Sequence, residues 1–302
     1  MFMYKKRTDL ALEVHELRGE ESGIEIFEEI DNGINITEAI VKEGMGEEKS
    51  GKNAGRYLTL DIGKIWHTDK SRFEHIAKVL ANRIDSLIPK NEGCVLCVGL
   101  GNENITPDAL GPKTIEGLLV TRHIKNIDED FYKNAGFGCV AAIKTGVLAQ
   151  TGVESAEIIK SICERINPKC VIVVDALASR RLSRISTTVQ LCDGGISPGS
   201  GVQNKRNEIS KKTIGIPVIS IGVPLVVDAV TLALDVIEEH LGESGGAISE
   251  TLDKGIFGDA DNIFVTPKDI DVIVSSTAKL ISSAVNIAVH KIDLSEINEY
   301  IG

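Results

Sequence analysis

CVLCVGLGNENITPDALGP, residues 94–112, is the stretch on which the fold turns. Cys94–Gly101 is an unbroken apolar run, the pattern of a strand covered on both faces. After Gly101 the chain turns to loop chemistry built of Gly, Asn and Pro, with one carboxylate, Asp108. The same pattern recurs downstream in CVIVVDA (170–176) and VISIGVP (218–224), and FGCVAAIK (137–144) reads as a further strand. Between the runs lie helical stretches. One passes through Pro112 to about Thr121, and another, VESAEIIKSICERIN, places Glu154 and Glu157 in its first turn, where the helix dipole favours them. Strand–helix alternation of this kind predicts an α/β fold with a mostly parallel central sheet flanked by helices.

Upstream the character is different. GIEIFEEI and INITEAIVK flank Asp31-Asn32-Gly33, a hairpin signal. The Gly- and charge-rich segment 43–55 reads as a mobile loop, and YLTLDIG (57–63) as another strand. A helix with Phe73, Ile76, Leu80, Ile84 and Leu87 on one face then stops before Pro89. The expected architecture is therefore the α/β core carrying an N-terminal β-rich elaboration. Near the end, Thr266-Pro267-Lys268-Asp269 offers an N-cap, an N1 proline and a first-turn acid for a long helix reaching about His290.

The net charge of −11 over 302 residues argues against a non-specific phosphate-binding surface, so no direct nucleic-acid contact is expected. MFMYKKR at the start holds no apolar signal core, which points to a cytoplasmic protein. The apolar stretch 216–237 contains Pro217, Pro224, Asp228 and Asp235 and reads as a buried strand plus helix, so no membrane span is expected. Six cysteines in mostly apolar runs fit reduced, buried thiols, and the residues of Cys94-Val-Leu-Cys97 would point to opposite faces of a strand.

In open parallel sheets, chemistry gathers at the carboxyl ends of the strands. Asp108 follows one such end and Asp175 closes VIVVDA. If the two strands are parallel neighbours, the two carboxylates share an edge and can divide the roles of acid and base. The alternative has Asp108 capping a helix after Thr-Pro and Asp175 bonding loop amides. Gly99-Leu-Gly101 is a truncated dinucleotide-type turn, with Asn104 where a third glycine belongs. Gly195-Ile-Ser197-Pro-Gly199 matches a nucleophile elbow in letters only, since loop residues rather than a helix come after it. No histidine lies between His123 and His240, so a metal site beside the carboxylates is not expected. The glycine-rich loop 194–206 reads either as a surface connection or as a substrate-binding loop, with Gly199, Ser200 and Gly201 offering backbone amides and Lys205 and Arg206 meeting acidic side chains.

Six blocks, RTDLALE, GLGNENITPDALGP, VDALASR, GISPGSGVQNKR, IGVPLVVDA and FVTPKDID, run in order from Arg7 to Asp271. Together they resemble the spore germination proteases of Bacillus and Clostridium relatives. The resemblance implies an atypical aspartic endopeptidase made as a zymogen in the developing spore, resident in the spore core, homotetrameric and without metal or cofactor. It further implies that the substrates are the small acid-soluble proteins that coat spore DNA. The family's two proposed catalytic aspartates fall by motif on Asp108 and Asp175. Gln203 stands where glycine is expected, which puts the shape of that loop in question. The core is also similar to hydrogenase-maturation endopeptidases, which makes a metal-dependent maturation peptidase the alternative.

The resemblance also gives the leader a meaning. The family's substrates are cut within a motif close to T-E-(F/I)-A-S-E, between the acid and the apolar residue. Thr8, Ala11 and Glu13 match it, Asp9 and Leu10 are conservative changes, and Leu12 departs. The expectation is self-cleavage between Asp9 and Leu10, with residues 1–9 a propeptide and 10–302 a single α/β peptidase domain.

Overall fold

The computed structural model describes residues 7–199, 206–241 and 263–301. Among them nine strands join in one sheet: β1 Ile24–Asp31, β2 Ile34–Val41, β3 Gly55–Asp61, β4 Val95–Leu100, β5 Val140–Gly146, β6 Cys170–Ala178, β7 Thr188–Cys192, β8 Val218–Asp228 and β9 Phe264–Val265. Their spatial order is β1-β2-β3-β7-β8-β6-β4-β5, with β9 beside β8. The α/β expectation holds. β5, β4, β6 and β8 form the parallel core, and the N-terminal strands extend the same sheet in antiparallel fashion through β7.

The helices that matter here are α1 Ala11–Arg18, α2 Met45–Ser50, α3 Lys70–Leu87, α4 Leu110–Glu116, α5 Ser155–Ile166, α6 Ala229–Leu241 and α7 Ile270–His290. Strand alternation divides the core. Cys97, Ile172, Val174 and Ile219 face α3 and α7, while Leu96, Val98, Val171 and Val173 face the α5 side. Burial on both faces is why β4 and β6 read as unbroken apolar runs. α7 is long and apolar enough to cross a membrane, yet its Ile273, Leu280, Ile281 and Val285 are packed inside this core. Cys94 is half-buried and the other five cysteines are buried, all of them free.

The β1–β2 turn places Asn32 and Gly33 at φ 49° and 77°, the left-handed pair that a two-residue hairpin requires. Three local expectations change. The segment 43–55 is built rather than loose: α2 lies within it, and Glu47 accepts from both Gly44 N and Ala54 N at 3.1 Å. α4 stops at Glu116 because Asn286 of α7 captures the chain instead, donating to Gly117 O at 2.9 Å and accepting from Leu119 N at 3.0 Å. α7 starts after Asp269, which stands at its N-cap position in place of Thr266, whose hydroxyl donates to Leu225 O.

Candidate active site

β4 and β6 are parallel neighbours, with Gly99 opposite Val174. The chain leaves β4 toward β5 on one side and returns to β6 on the other, so the carboxyl ends of β4 and β6 flank a topological switch point. Asp108 and Asp175 both line the cavity there, of about 460 Å³.

Glycines bring Asp108 to this place. At Gly101, φ is +104°, and a Cβ would lie 2.0 Å from the Asp108 carbonyl oxygen. A Cβ on Gly111, in the first turn of α4, would stand 2.3 Å from Leu100 O and 2.6 Å from Val174 O. Only bare backbone permits this approach of α4 to β4 and β6. Asp108 does not cap α4. Its carboxylate turns back toward the strand end and accepts from Asn102 N at 2.7 Å. Asp175 sits within β6, which runs two residues beyond CVIVVDA, to Ala178. Its Oδ1 accepts from Ala176 N at 2.9 Å, and its β8 neighbour in register is Gly222.

Burial raises the pKa of both carboxyls. For Asp108, the Asn102 amide and the charge of Arg206 oppose that rise. Asp175 lies well above the usual carboxylate range, first through burial, then through the negative charges of Asp108 and Asp9. An acid pair in which one member holds its proton can place a base and an acid at one substrate bond.

The leader's position is open from sequence alone, and here it is docked. Arg7 Nη1 donates to the buried Asp228 at 2.8 Å, and Arg7 N to Thr231 Oγ1 at 3.2 Å. Asp9 N donates to Ala178 O at 2.9 Å, and Ala178 N returns a bond to Asp9 Oδ2 at 2.8 Å. Leu10 is fully buried in an extended conformation, and Ala11 N donates to Gln190 Oε1 at 3.0 Å. The helix α1 begins immediately afterwards.

Beneath it, Glu13 is completely buried. Its carboxylate accepts from Ser179 Oγ (2.9 Å), Arg180 N (2.7 Å), Arg181 N (3.0 Å), Arg184 Nη1 (3.2 Å) and Thr8 Oγ1. The residues just past β6 thus grip the chain on the far side of the Asp9–Leu10 bond.

A second cavity of about 260 Å³ adjoins the first, and Asp9, Asp175, Leu177 and Gly199 line both. Lys52, which no sequence pattern singles out, lines the smaller one and donates to Asp9 O at 2.9 Å and Thr8 O at 3.3 Å. Nothing local marks it, since it lies in a glycine-rich charged loop. Of the proposed substrate-binding residues, Gly199 and Arg206 are at the cavities, whereas Ser200, Gly201 and Lys205, like Gln203, lie outside the described residues. Among the described residues, no histidine lines either cavity and no three His, Cys, Asp or Glu side chains converge as a metal would require.

A family model described as germination protease matches residues 3–255. The germination protease of Clostridium acetobutylicum is 41% identical, with 99% of this chain and all of the relative aligned. That of Clostridium tetani is 42% identical over 98% of this chain and 99% of the relative. That of Caldanaerobacter subterraneus subsp. tengcongensis is 42% identical over 93% of each. With a full-length match of this kind, the chain belongs to the germination protease family.

Proposed function

We propose that this chain is a spore germination endopeptidase made as a zymogen, in which Asp108 and Asp175 together activate water and protonate the departing amine. Residues 1–9 are the propeptide and residues 10–302 the peptidase domain, and the first bond cut is Asp9–Leu10. The substrates in trans are small acid-soluble spore proteins, presented to a homotetramer in the spore core. Gly199 and Arg206, with Ser200, Gly201 and Lys205 of the same loop, bind the substrate chain.

The observation that carries this reading is the docking of the leader. Asp9 pairs in both directions with Ala178, on the strand that holds Asp175, and lines both cavities beside that carboxylate. An extended segment bonded to strand backbone is how peptidases and other peptide binders commonly hold a chain. Water attacks the carbonyl carbon while one carboxylate takes its proton. The other carboxyl, kept protonated by burial and by its neighbours, gives a proton to the leaving nitrogen. The two act as a unit, so the roles belong to the pair.

The test is intact mass of the purified full-length chain and of its Asp108→Asn and Asp175→Asn variants, each then incubated with a small acid-soluble spore protein. Wild type yields a chain starting at Leu10 and new termini in the substrate. Either variant retaining near-full cleavage overturns the aspartate assignment.

A further inference from the structure

We propose that Lys52 is a catalytic residue of this site, the electrophile whose ammonium holds the Asp9 carbonyl oxygen while it becomes an oxyanion. The proposal rests on the reading of Asp9–Leu10 as the bond that is cut.

The ammonium of Lys52 bridges two consecutive carbonyls, Asp9 O at 2.9 Å and Thr8 O at 3.3 Å. A lysine placed only for solubility keeps its head in water and loses about 2 kcal/mol of rotamer freedom when fixed. This one is held on backbone oxygens inside a cavity, and the loop that carries it is anchored on both sides. Lys52 N donates to Ser50 Oγ at 3.1 Å, Asn53 Nδ2 to Gly194 O at 3.1 Å, and Tyr57 Oη to Asn53 O at 2.8 Å. Gly51, at φ +71°, ends α2 and turns the chain toward the cavity.

The chemistry needs such a group. Asp108 and Asp175 can move protons, but they bring negative charge to a step that creates more of it. When a water oxygen bonds to the Asp9 carbonyl carbon, the π electrons of that carbonyl move onto its oxygen and the water proton passes to the carboxylate pair. Collapse breaks the C–N bond, its electrons stay on the Leu10 nitrogen, and that nitrogen takes a proton from the pair. The products are an Asp9 carboxylate and a Leu10 ammonium, the second water proton passing from the new acid through the pair to that nitrogen. A fixed cation at the oxygen stabilises the intermediate without reorganising. Asp9 lies in the wall between the cavities, with Asp108 and Arg206 lining the larger and Lys52 the smaller. Because Lys52 lies within residues 10–302, it stays with the enzyme when the leader departs and serves later substrates in the same way.

Burial lowers the Lys52 pKa, while Asp9, Cys192 and Glu13 pull it back up. Tyr57, Asp175 and Glu208 line the same cavity. A catalytic ammonium of depressed pKa gives a rate that falls on the alkaline side as the charge is lost, and arginine in its place moves that fall to higher pH.

The experiment tracks loss of the leader by intact mass from pH 5 to 10 in wild type, Lys52→Gln and Lys52→Arg, with hydrogen exchange at the Asp9 and Ala11 amides as a measure of docking. The expected result is a wild-type cut between Asp9 and Leu10, a 10²–10³-fold slower first-order rate in Lys52→Gln with both amides still protected, and an alkaline limb moved upward in Lys52→Arg. A wild-type cut elsewhere sinks the cleavage-site reading and this proposal together. The correct cut with Lys52→Gln within threefold of wild type, or slow only because the amides lose protection, overturns Lys52 alone. So does an unmoved alkaline limb in Lys52→Arg.

Discussion

Glu13→Gln is the substitution for which the structure sets the cost most tightly. Glutamine keeps the shape of Glu13 but replaces one acceptor oxygen with an NH2 donor. Both oxygens of Glu13 accept from backbone amides, one from Arg180 N and the other from Arg181 N, so either flip of the new amide sets donor against donor. One unsatisfied buried N–H costs about 1–3 kcal/mol, and loss of charge weakens the surviving bonds by about 1 kcal/mol each. A neutral amide is easier to bury than a carboxylate, which offsets part of this. The net destabilisation is roughly 2–4 kcal/mol, or roughly 3–6 °C in Tm for a chain of this size. The assay is thermal unfolding by circular dichroism, with Asp108→Asn in every sample so that each chain keeps its leader. A Tm within 1 °C of the parent would refute the claim that these donors depend on the Glu13 charge.

Three further outcomes are expected. In Asp108→Asn, carbon-detected NMR titration should show the Asp175 carboxyl giving up its proton at lower pH than in a wild-type chain that still carries its leader, because one of the two negative charges that raise it is gone; an unchanged or higher titration argues against electrostatic pairing. The sign also fixes stability: a carboxyl with a raised native pKa contributes fully below its unfolded pKa, and that contribution is lost as pH rises through the native value. In the Asp108→Asn background, where the leader stays attached, Arg7→Met removes a guanidinium donor from an Asp228 carboxylate with no exposed surface and should cost about 3–5 kcal/mol in urea unfolding; an unmoved midpoint contradicts the pairing. Gly101→Ala should reduce leader cleavage at least tenfold by displacing Asp108, whereas Gly136→Ala, with φ +69° and open space around it, should alter stability alone; equal cleavage in the two variants removes the steric argument.

The parallel core was legible because β4, β6 and β8 are buried on both faces and write that burial into sequence as apolar runs. β7 was not, since Thr188, Gln190 and Cys192 alternate with Val189 and Leu191 over only five residues, and Gln190 is polar for the sake of the leader it binds. Asp108 and Asp175 could be paired because strand ends converge whenever their strands are neighbours. Lys52 could not, because its meaning comes from a chain segment more than forty residues away. The docking of Thr8–Glu13 is likewise a property of three dimensions: the letters suggest a cut site, but not the bonds that hold this segment.

The Leu10 nitrogen, now a neutral amide donating to Thr8 Oγ1 at 3.0 Å, sits on a fully buried residue whose preceding carbonyl already carries the Lys52 ammonium. Cutting that bond would turn the nitrogen into a second ammonium beside the first, and the carbonyl into a carboxylate beside Asp175. The new ammonium would face the Lys52 ammonium in surroundings poor in water, where such a like-charge pair costs on the order of a few kcal/mol, while the new carboxylate would stay paired with Lys52. A cut at this position would therefore push the new terminus at Leu10 away from Lys52 while that lysine still holds the severed leader.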